Sequence, residues 1–275
     1  MQSSAPTLTD VIQSEDLCRY SVNVVTSLGD SVFVVHDKSQ EVEVYDAVTF
    51  TLQCSIIVPE LGSYKYGMTA CARNKCLYLS SYDDNIVHRI DLSGSMAVKQ
   101  WSVAIHPVGL SVNIAHNLVV ACDETNKLQE YTTHGYLVRE IYLEEGVTNP
   151  AHAVQLSTGD YVVSECTSPG VVSVVGVDGQ VVHSYGQSQT SDVGHMKNPS
   201  GLAVTKNDDI LVADEDNNRI LSINRSTGCV QELSLSADDG TKQPRGLFLD
   251  ESRGRLYVGE CGGQHRVLVF DGVRL

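Results

Sequence analysis

The chain has 275 residues, with 34 Asp and Glu against 19 Lys and Arg, a formal net charge of −15. Its 42% hydrophobic content excludes a wholly disordered chain and supplies a sizeable core without disulfides or metals. The negative balance argues against a general nucleic-acid binder, because phosphate is repelled unless basic residues concentrate in one patch.

No run approaches the roughly 18 consecutive apolar residues of a membrane span, so no membrane partner is expected. The opening Met1-Gln2-Ser3-Ser4-Ala5-Pro6 has neither the basic nor the apolar region of a secretory leader. The eight cysteines include no CxxC pair, since four residues separate Cys71 from Cys76. Reduced thiols and a cytoplasmic location are expected, with no structural zinc site of the usual spacing.

In chain order, a spare apolar run at Asp10-Val11-Ile12-Gln13 precedes a series of short strand signals. Val22-Asn23-Val24, Val32-Phe33-Val34-Val35 and Val42-Glu43-Val44-Tyr45 form a weak first set. Tyr66-Gly67-Met68, Leu77-Tyr78-Leu79-Ser80 and Val87-His88-Arg89-Ile90-Asp91 form the second. His106-Pro107-Val108-Gly109-Leu110 opens the third, and Asn149-Pro150-Ala151-His152-Ala153 the fourth. Asn198-Pro199-Ser200-Gly201-Leu202 opens the fifth, and Gln243-Pro244-Arg245-Gly246-Leu247 the sixth. Each opening is followed by β-branched or alternating runs between polar turns. Aligned on Gly201, the copies fall at Val22, Gly67, Gly109, His152, Gly201 and Gly246, about 45 residues apart. Six units of this period predict an all-β chain, a six-bladed β-propeller with four antiparallel strands per blade. One domain over 1–275 is expected, with blades at 17–58, 64–103, 106–143, 149–186, 198–236 and 243–271. The sixth copy ends at Val273-Arg274-Leu275, too short for a fourth strand. Residues 10–14 are expected to supply that outer strand and close the ring.

Pro199-Ser200-Gly201-Leu202-Ala203-Val204, then Ala213-Asp214, then Asn218-Arg219-Ile220 resemble the NHL repeat. The other copies match in part: His152 stands in the place of Gly, and Ser81, Cys122, Glu165 and Glu260 in the place of Asp. The resemblance implies a six-bladed propeller used chiefly as an interaction platform. It is similar to the C-terminal domain of tripartite-motif ubiquitin ligases, where the propeller selects protein or RNA targets. These residues contain no RING, B-box or coiled coil, so ligase activity is not implied.

In a propeller, the loops joining strands D to A and B to C share one face. The strand-B ends there carry His36, Ser81, Cys122, Glu165, Asp214 and Glu260. The next positions carry Asp37, Tyr82, Asp123, Cys166, Glu215 and Cys261. The plain reading of the first ring is local capping of backbone N–H groups. The sharper reading makes Glu165, Asp214 and Glu260 candidate cation ligands, as in lactonase-type propellers, with Glu165 and Asp214 as an acid/base pair. His152 either fills space or faces the channel. Arg219 and Arg266 are expected in inter-blade ion pairs. With Lys197, Arg245 and His265 they form one modest basic cluster. The aromatics that could stack RNA bases (Tyr20, Tyr64, Tyr66 and Tyr82) lie away from it. Trp101 is expected between blades. No G-x-S-x-G, P-loop or H-E-x-x-H motif occurs.

The leading expectation is a non-enzymatic module without cofactor or metal. It binds a protein or peptide, with basic partners favoured by the net charge. The expected face carries Tyr82, Asp123, His152, Glu165, Asp214, Arg219, Arg245 and Glu260. A metal-dependent hydrolase of lactonase type and an RNA-binding NHL domain are the alternatives.

Overall fold

The computed structural model describes residues 5–13, 21–62, 64, 67–104, 106–186, 192–235 and 240–273. Its strands form six four-stranded antiparallel sheets, the arrangement that the repeat predicts. Blade 1 contains β2 (Val22–Leu28), β3 (Ser31–His36), β4 (Glu41–Asp46) and β5 (Leu52–Ile57). Blade 2 contains β6 (Met68–Cys71), β7 (Cys76–Ser81), β8 (Ile86–Asp91) and β9 (Val98–Ser102). Blade 3 contains β10 (Pro107–Val112), β11 (Leu118–Cys122), β12 (Lys127–Tyr131) and β13 (Leu137–Tyr142). Blade 4 contains β14 (Pro150–Gln155), β15 (Tyr161–Glu165), β16 (Val171–Val175) and β17 (Val181–Tyr185). Blade 5 contains β18 (Pro199–Val204), β19 (Ile210–Asp214), β20 (Arg219–Ile223) and β21 (Val230–Glu232). Blade 6 contains β22 (Pro244–Asp250), β23 (Arg255–Glu260), β24 (Val267–Asp271) and, as its outer strand, β1 (Thr7–Ile12).

The closing strand begins earlier than the expected 10–14 and pairs Thr7 with Asp271 and Ile12 with Val267. Leu8 and Val11 pack against the core shared by blades 5 and 6, which adds an apolar anchor to the backbone ladder. The first strands of neighbouring blades pack on one another around the whole ring. Between blades lie the cores, such as Leu156, Val162, Val172, Leu202 and Leu221 between blades 4 and 5. Strands β7, β11, β15 and β19 are buried along their length, so they read as continuous apolar runs rather than alternating ones. Trp101 sits between blades 2 and 3, edge-on to Tyr78 at 6.1 Å and near Tyr131 at 6.3 Å. Among the described residues seven cysteines are unbridged; Cys18 lies outside them. No helix of the described residues is long and apolar enough to cross a membrane.

Two local devices aim residues at the central channel. In blades 3 to 6 strand A opens on a proline preceded by a left-handed residue, His106, Asn149, Asn198 or Gln243. Just inside the strand the register then breaks, between Pro107 and Gly109, Pro150 and His152, Pro199 and Leu202, and Pro244 and Gly246. Val22 and Val24 repeat this in blade 1. A bulge re-aims its extra residue, here Asn23, Val108, Ala151, Ser200 and Arg245, all of which reach the channel. The repeated glycine lets the blades close up. A Cβ on Gly67 would lie 2.6 Å from Val108 O, and one on Gly246 would lie 2.8 Å from Asn23 O.

Candidate functional site at the channel mouth

The two rings at the strand-B ends have different roles. In the first, side chains hold the loops. Asp214 Oδ1 accepts the Lys197 N–H at 2.7 Å, and Oδ2 accepts Arg219 Nε at 2.7 Å. Glu260 accepts the Lys242 N–H at 2.6 Å and Arg266 Nε at 2.9 Å. Glu165 accepts the Thr148 N–H at 2.9 Å and the Ser173 hydroxyl at 3.2 Å. Ser81 Oγ accepts the Gly62 N–H at 3.1 Å. In blade 3 Cys122 offers only a weak sulfur acceptor, and Gln129 of the adjacent strand takes the Ala104 N–H at 2.8 Å. Each of the backbone N–H bonds ties the loop entering a blade to that blade's second or third strand.

This is the capping arrangement. Glu165, Asp214 and Glu260 are buried behind the channel wall rather than converging on it. Among the described residues no group of three His, Cys, Asp or Glu side chains is placed to hold a metal ion. Burial raises the Glu165 and Glu260 carboxyls above their ordinary value, for Glu260 in spite of its Arg266 partner. The expected inter-blade pairs of Arg219 and Arg266 are instead within blades. Strand register sets Arg219 directly opposite Asp214, and the turn after β23 brings Arg266 back to Glu260.

In the second ring the backbone does the holding. The N–H groups of Asp37, Tyr82, Asp123, Cys166 and Cys261 donate to the carbonyls of Ser21, Tyr64, His106, Asn149 and Gln243. Their side chains are released from that task. Tyr82, Asp123 and Cys166 border a central channel of about 370 Å³, together with Glu124, Asn149, Arg245 and strand-A residues from all six blades. Tyr82 stacks on His106 at 4.3 Å, and His106 Nδ1 lies 3.5 Å from Glu124 Oε2.

Blade 5 departs from this rule. A 3-10 turn at Glu215–Asn217 makes Asp216 the backbone donor to Lys197, and Glu215 turns inward. Its buried carboxylate binds the half-buried Arg245 of blade 6 through two bonds, 2.7 and 3.0 Å, forming a bridge between blades. Burial opposes the Arg245 charge, but the paired carboxylate more than offsets it and raises its pKa. The Cys261 thiol donates to the same carboxylate at 3.3 Å. Cys166 keeps contact with solvent, but the atoms crowded around its sulfur at the mouth desolvate the thiolate and raise it to about 11; burial pushes Cys261 up to about 12, so both are thiols at neutral pH.

His152 faces the channel with both nitrogens engaged. Nδ1 accepts the Leu202 N–H of blade 5 at 3.0 Å, and Nε2–H donates to Leu110 O of blade 3 at 3.0 Å. One acceptor and one donor define a neutral imidazole, and burial lowers its pKa accordingly. The ring thus bridges three blades at a position where four of the other copies use glycine.

Of the eight expected face residues, Tyr82, Asp123, His152 and Arg245 meet at the channel. Arg219 lies apart, in a polar hollow with Lys197, His195 and Glu232. Sequence reasoning left Glu124, Asn149 and Cys166 out of the face. Cys166 shares the strand-B offset of Tyr82 and Asp123, and Asn149 shares the pre-proline position of His106; those alignments carried the signal. Tyr20 and Tyr66 lie outside the described residues. Chemically, the mouth offers neutral thiols and an imidazole bonded on both sides, beside the carboxylates of Asp123 and Glu124 and the paired Arg245.

No curated protein sequence matches the chain. A streptogramin B lyase structure aligns with TM-score 0.66 and 13% identity over 95% of this chain and 96% of that one. A catalytically inactive virginiamycin B lyase from Staphylococcus aureus with quinupristin aligns with TM-score 0.68 and 12% identity over 95% and 98%. Kuenenia stuttgartiensis hydrazine synthase aligns with TM-score 0.68 and 19% identity over 94% of this chain and 78% of that one. At these identities the likeness concerns the fold alone. Residues 196–221, from the approach to β18 into β20, match the NHL repeat, and together with the propeller neighbours this supports an NHL-type six-bladed β-propeller.

Proposed function

We propose that the protein is an interaction propeller that receives a protein segment over its channel mouth, as a substrate-recognition module related to those of tripartite-motif proteins and acting in the cytoplasm. The observation that carries this reading is the second ring. Backbone bonds fix its positions while Tyr82, Asp123 and Cys166, from three blades, present varied side chains around one opening. A backbone-held frame that carries different side chains at equivalent places is the economy of a recognition surface. The RNA alternative loses support because the guanidinium groups of Arg219 and Arg245 are engaged with Asp214 and Glu215. The hydrolase alternative gains none from Glu165 and Asp214, which cap loops in separate blades.

The test is capture from lysate, with and without RNase, using the wild-type protein and the Tyr82→Ala/Asp123→Lys variant. Neither substitution removes a buried ion pair. Proteins retained by the wild type and lost by the variant support the mouth as the binding face. An identical retained set moves the site elsewhere, and retention that vanishes with RNase restores the RNA reading.

A further inference from the structure

The channel has a polarity gradient along its depth, which strand register defines. Pro107 pairs with Cys122 at the mouth, whereas Val112 pairs with Leu118 at the far end. Asn149 and Arg245, at the entrance of strand A, and Tyr82, Asp123, Glu124 and Cys166, just past the strand-B ends, therefore form the polar mouth. Val25, Leu110 and Leu247 lie further along their strands, and Met68 pairs with Leu79 at the level where Leu110 pairs with Val120; together they make the deeper wall apolar. His152 at that depth adds no charge, since its ring is neutral and bonded on both sides.

Among the described lining residues the formal charges are those of Asp123, Glu124 and Arg245. Glu215 answers Arg245 through two bonds, so the charge left at the mouth is negative. A pocket of about 370 Å³ falls in the size range that takes up a ligand group and excludes water from it.

Resting on the interaction reading, we infer that the channel takes one large apolar side chain of a partner peptide whose flanking residues are Lys or Arg. The apolar side chain fills the deeper wall, and the basic neighbours meet Asp123 and Glu124. A basic side chain does not serve as the inserted group, because its charge would end in the apolar part of the channel. An acidic flank would meet like charge at the mouth.

The test uses labelled hexapeptides of the form Gly-Lys-Lys-X-Lys-Gly, with X as Leu, Ser or Lys, and a Leu peptide whose lysines are replaced by Glu. Affinity is read by fluorescence anisotropy, and position by alkylation of the intact protein followed by mass spectrometry. Cys166 is exposed and borders the mouth, while exposed Cys54 and Cys229 lie elsewhere and serve as internal controls. The Leu peptide is expected to bind at least about ten-fold more tightly than the Ser or Lys peptides, the scale of burying a Leu side chain. It is expected to slow alkylation of Cys166 and not of Cys54 or Cys229. The Asp123→Asn/Glu124→Gln variant is expected to flatten the salt dependence while keeping the preference for Leu. Equal affinity for Leu and Ser, preference for the Glu-flanked peptide, or no slowing at Cys166 overturns the inference. If these peptides fail while the mouth variant still loses its lysate partners, the interaction reading stands and only this ligand class falls.

Discussion

Two rings of residues one position apart at the strand-B ends make opposite uses of the same chain. In the first ring the side chain is structural: Ser81, Glu165, Asp214 and Glu260 each accept a backbone N–H from the loop that enters the blade. In the second the backbone is structural: the N–H groups of Tyr82, Asp123, Cys166 and Cys261 bond the loop carbonyls. Successive residues of a strand point to opposite sides, so one step in sequence exchanges a buried cap for an open mouth. Chemical type alone is therefore a poor guide here. Each ring holds three acidic residues, yet Glu165, Asp214 and Glu260 of the first cap loops while Asp123 of the second borders the mouth.

The largest test of this contrast is Asp214→Ala. It removes a fully buried acceptor and leaves Arg219, itself mostly buried, without its carboxylate. A loss of about 4 kcal/mol is expected from urea denaturation, the scale of breaking a buried pair. A loss below about 1 kcal/mol would show that Arg219 finds water instead. Next comes Arg245→Met, which probes the exception in blade 5 by leaving buried Glu215 unpaired. About 3 kcal/mol is expected in the same measurement, because this member of the second ring behaves like the first. Gln129→Leu should cost less, about 2 kcal/mol, since it orphans the Ala104 N–H and the Tyr131 hydroxyl and removes a donor to Glu140, without stranding an arginine. A neutral result there would mean that blade 3 needs no cap.

Much of the framework was legible before any coordinates. Pro-x-Gly at the strand-A entrances and apolar strand-B runs express packing that every blade repeats, so they recur in the sequence at a fixed period. The closing strand was legible by default, because Asp271 ends a blade that still lacks an outer strand. The site was legible only as two adjacent rings. Separating cap from mouth needed the knowledge that the Lys197, Thr148 and Lys242 N–H groups point at the first ring, and loop direction leaves no periodic trace. The inward turn of Glu215 depends on a three-residue helix, too short to announce itself. The two bonds of His152 depend on neighbours 42 and 50 residues away, so its identity alone left space-filling and channel-facing readings open.

Acid sharpens the contrast at His152. Its folded pKa is lowered by burial from an ordinary value of 6.5, so the unfolded chain binds the proton more readily. The stabilising contribution is present above about pH 6.5 and is lost as pH falls, with a slope of at most about 1.4 kcal/mol per unit. Glu165 and Glu260 act in the opposite sense. Their folded pKa values are raised, so their contribution is present at low pH and lost as pH rises through them. The comparison is therefore made between wild type and His152→Gln at each pH, where the carboxyl parts cancel. The variant is expected to show a shallower decline between pH 7 and 5.5 (a window chosen around the ordinary value of 6.5). Equal slopes would mean that the imidazole keeps its ordinary affinity for protons in the channel.

The smallest stability change should fall where binding is expected to change most. Asp123→Ala removes a side chain whose only described side-chain hydrogen bond is to the N–H of its neighbour Glu124, while its own N–H keeps the bond to His106 O. Unfolding free energy should stay within about 0.5 kcal/mol of wild type, as for a surface change away from caps and pairs. Tyr82→Ala should cost slightly more, because it also ends the stack on His106. If Asp123→Ala instead destabilised the ring as Asp214→Ala does, the second ring would be structural as well. Its variety would then need an explanation in packing, and the division between a side chain that holds and a side chain that is free would fail at the position that defines it.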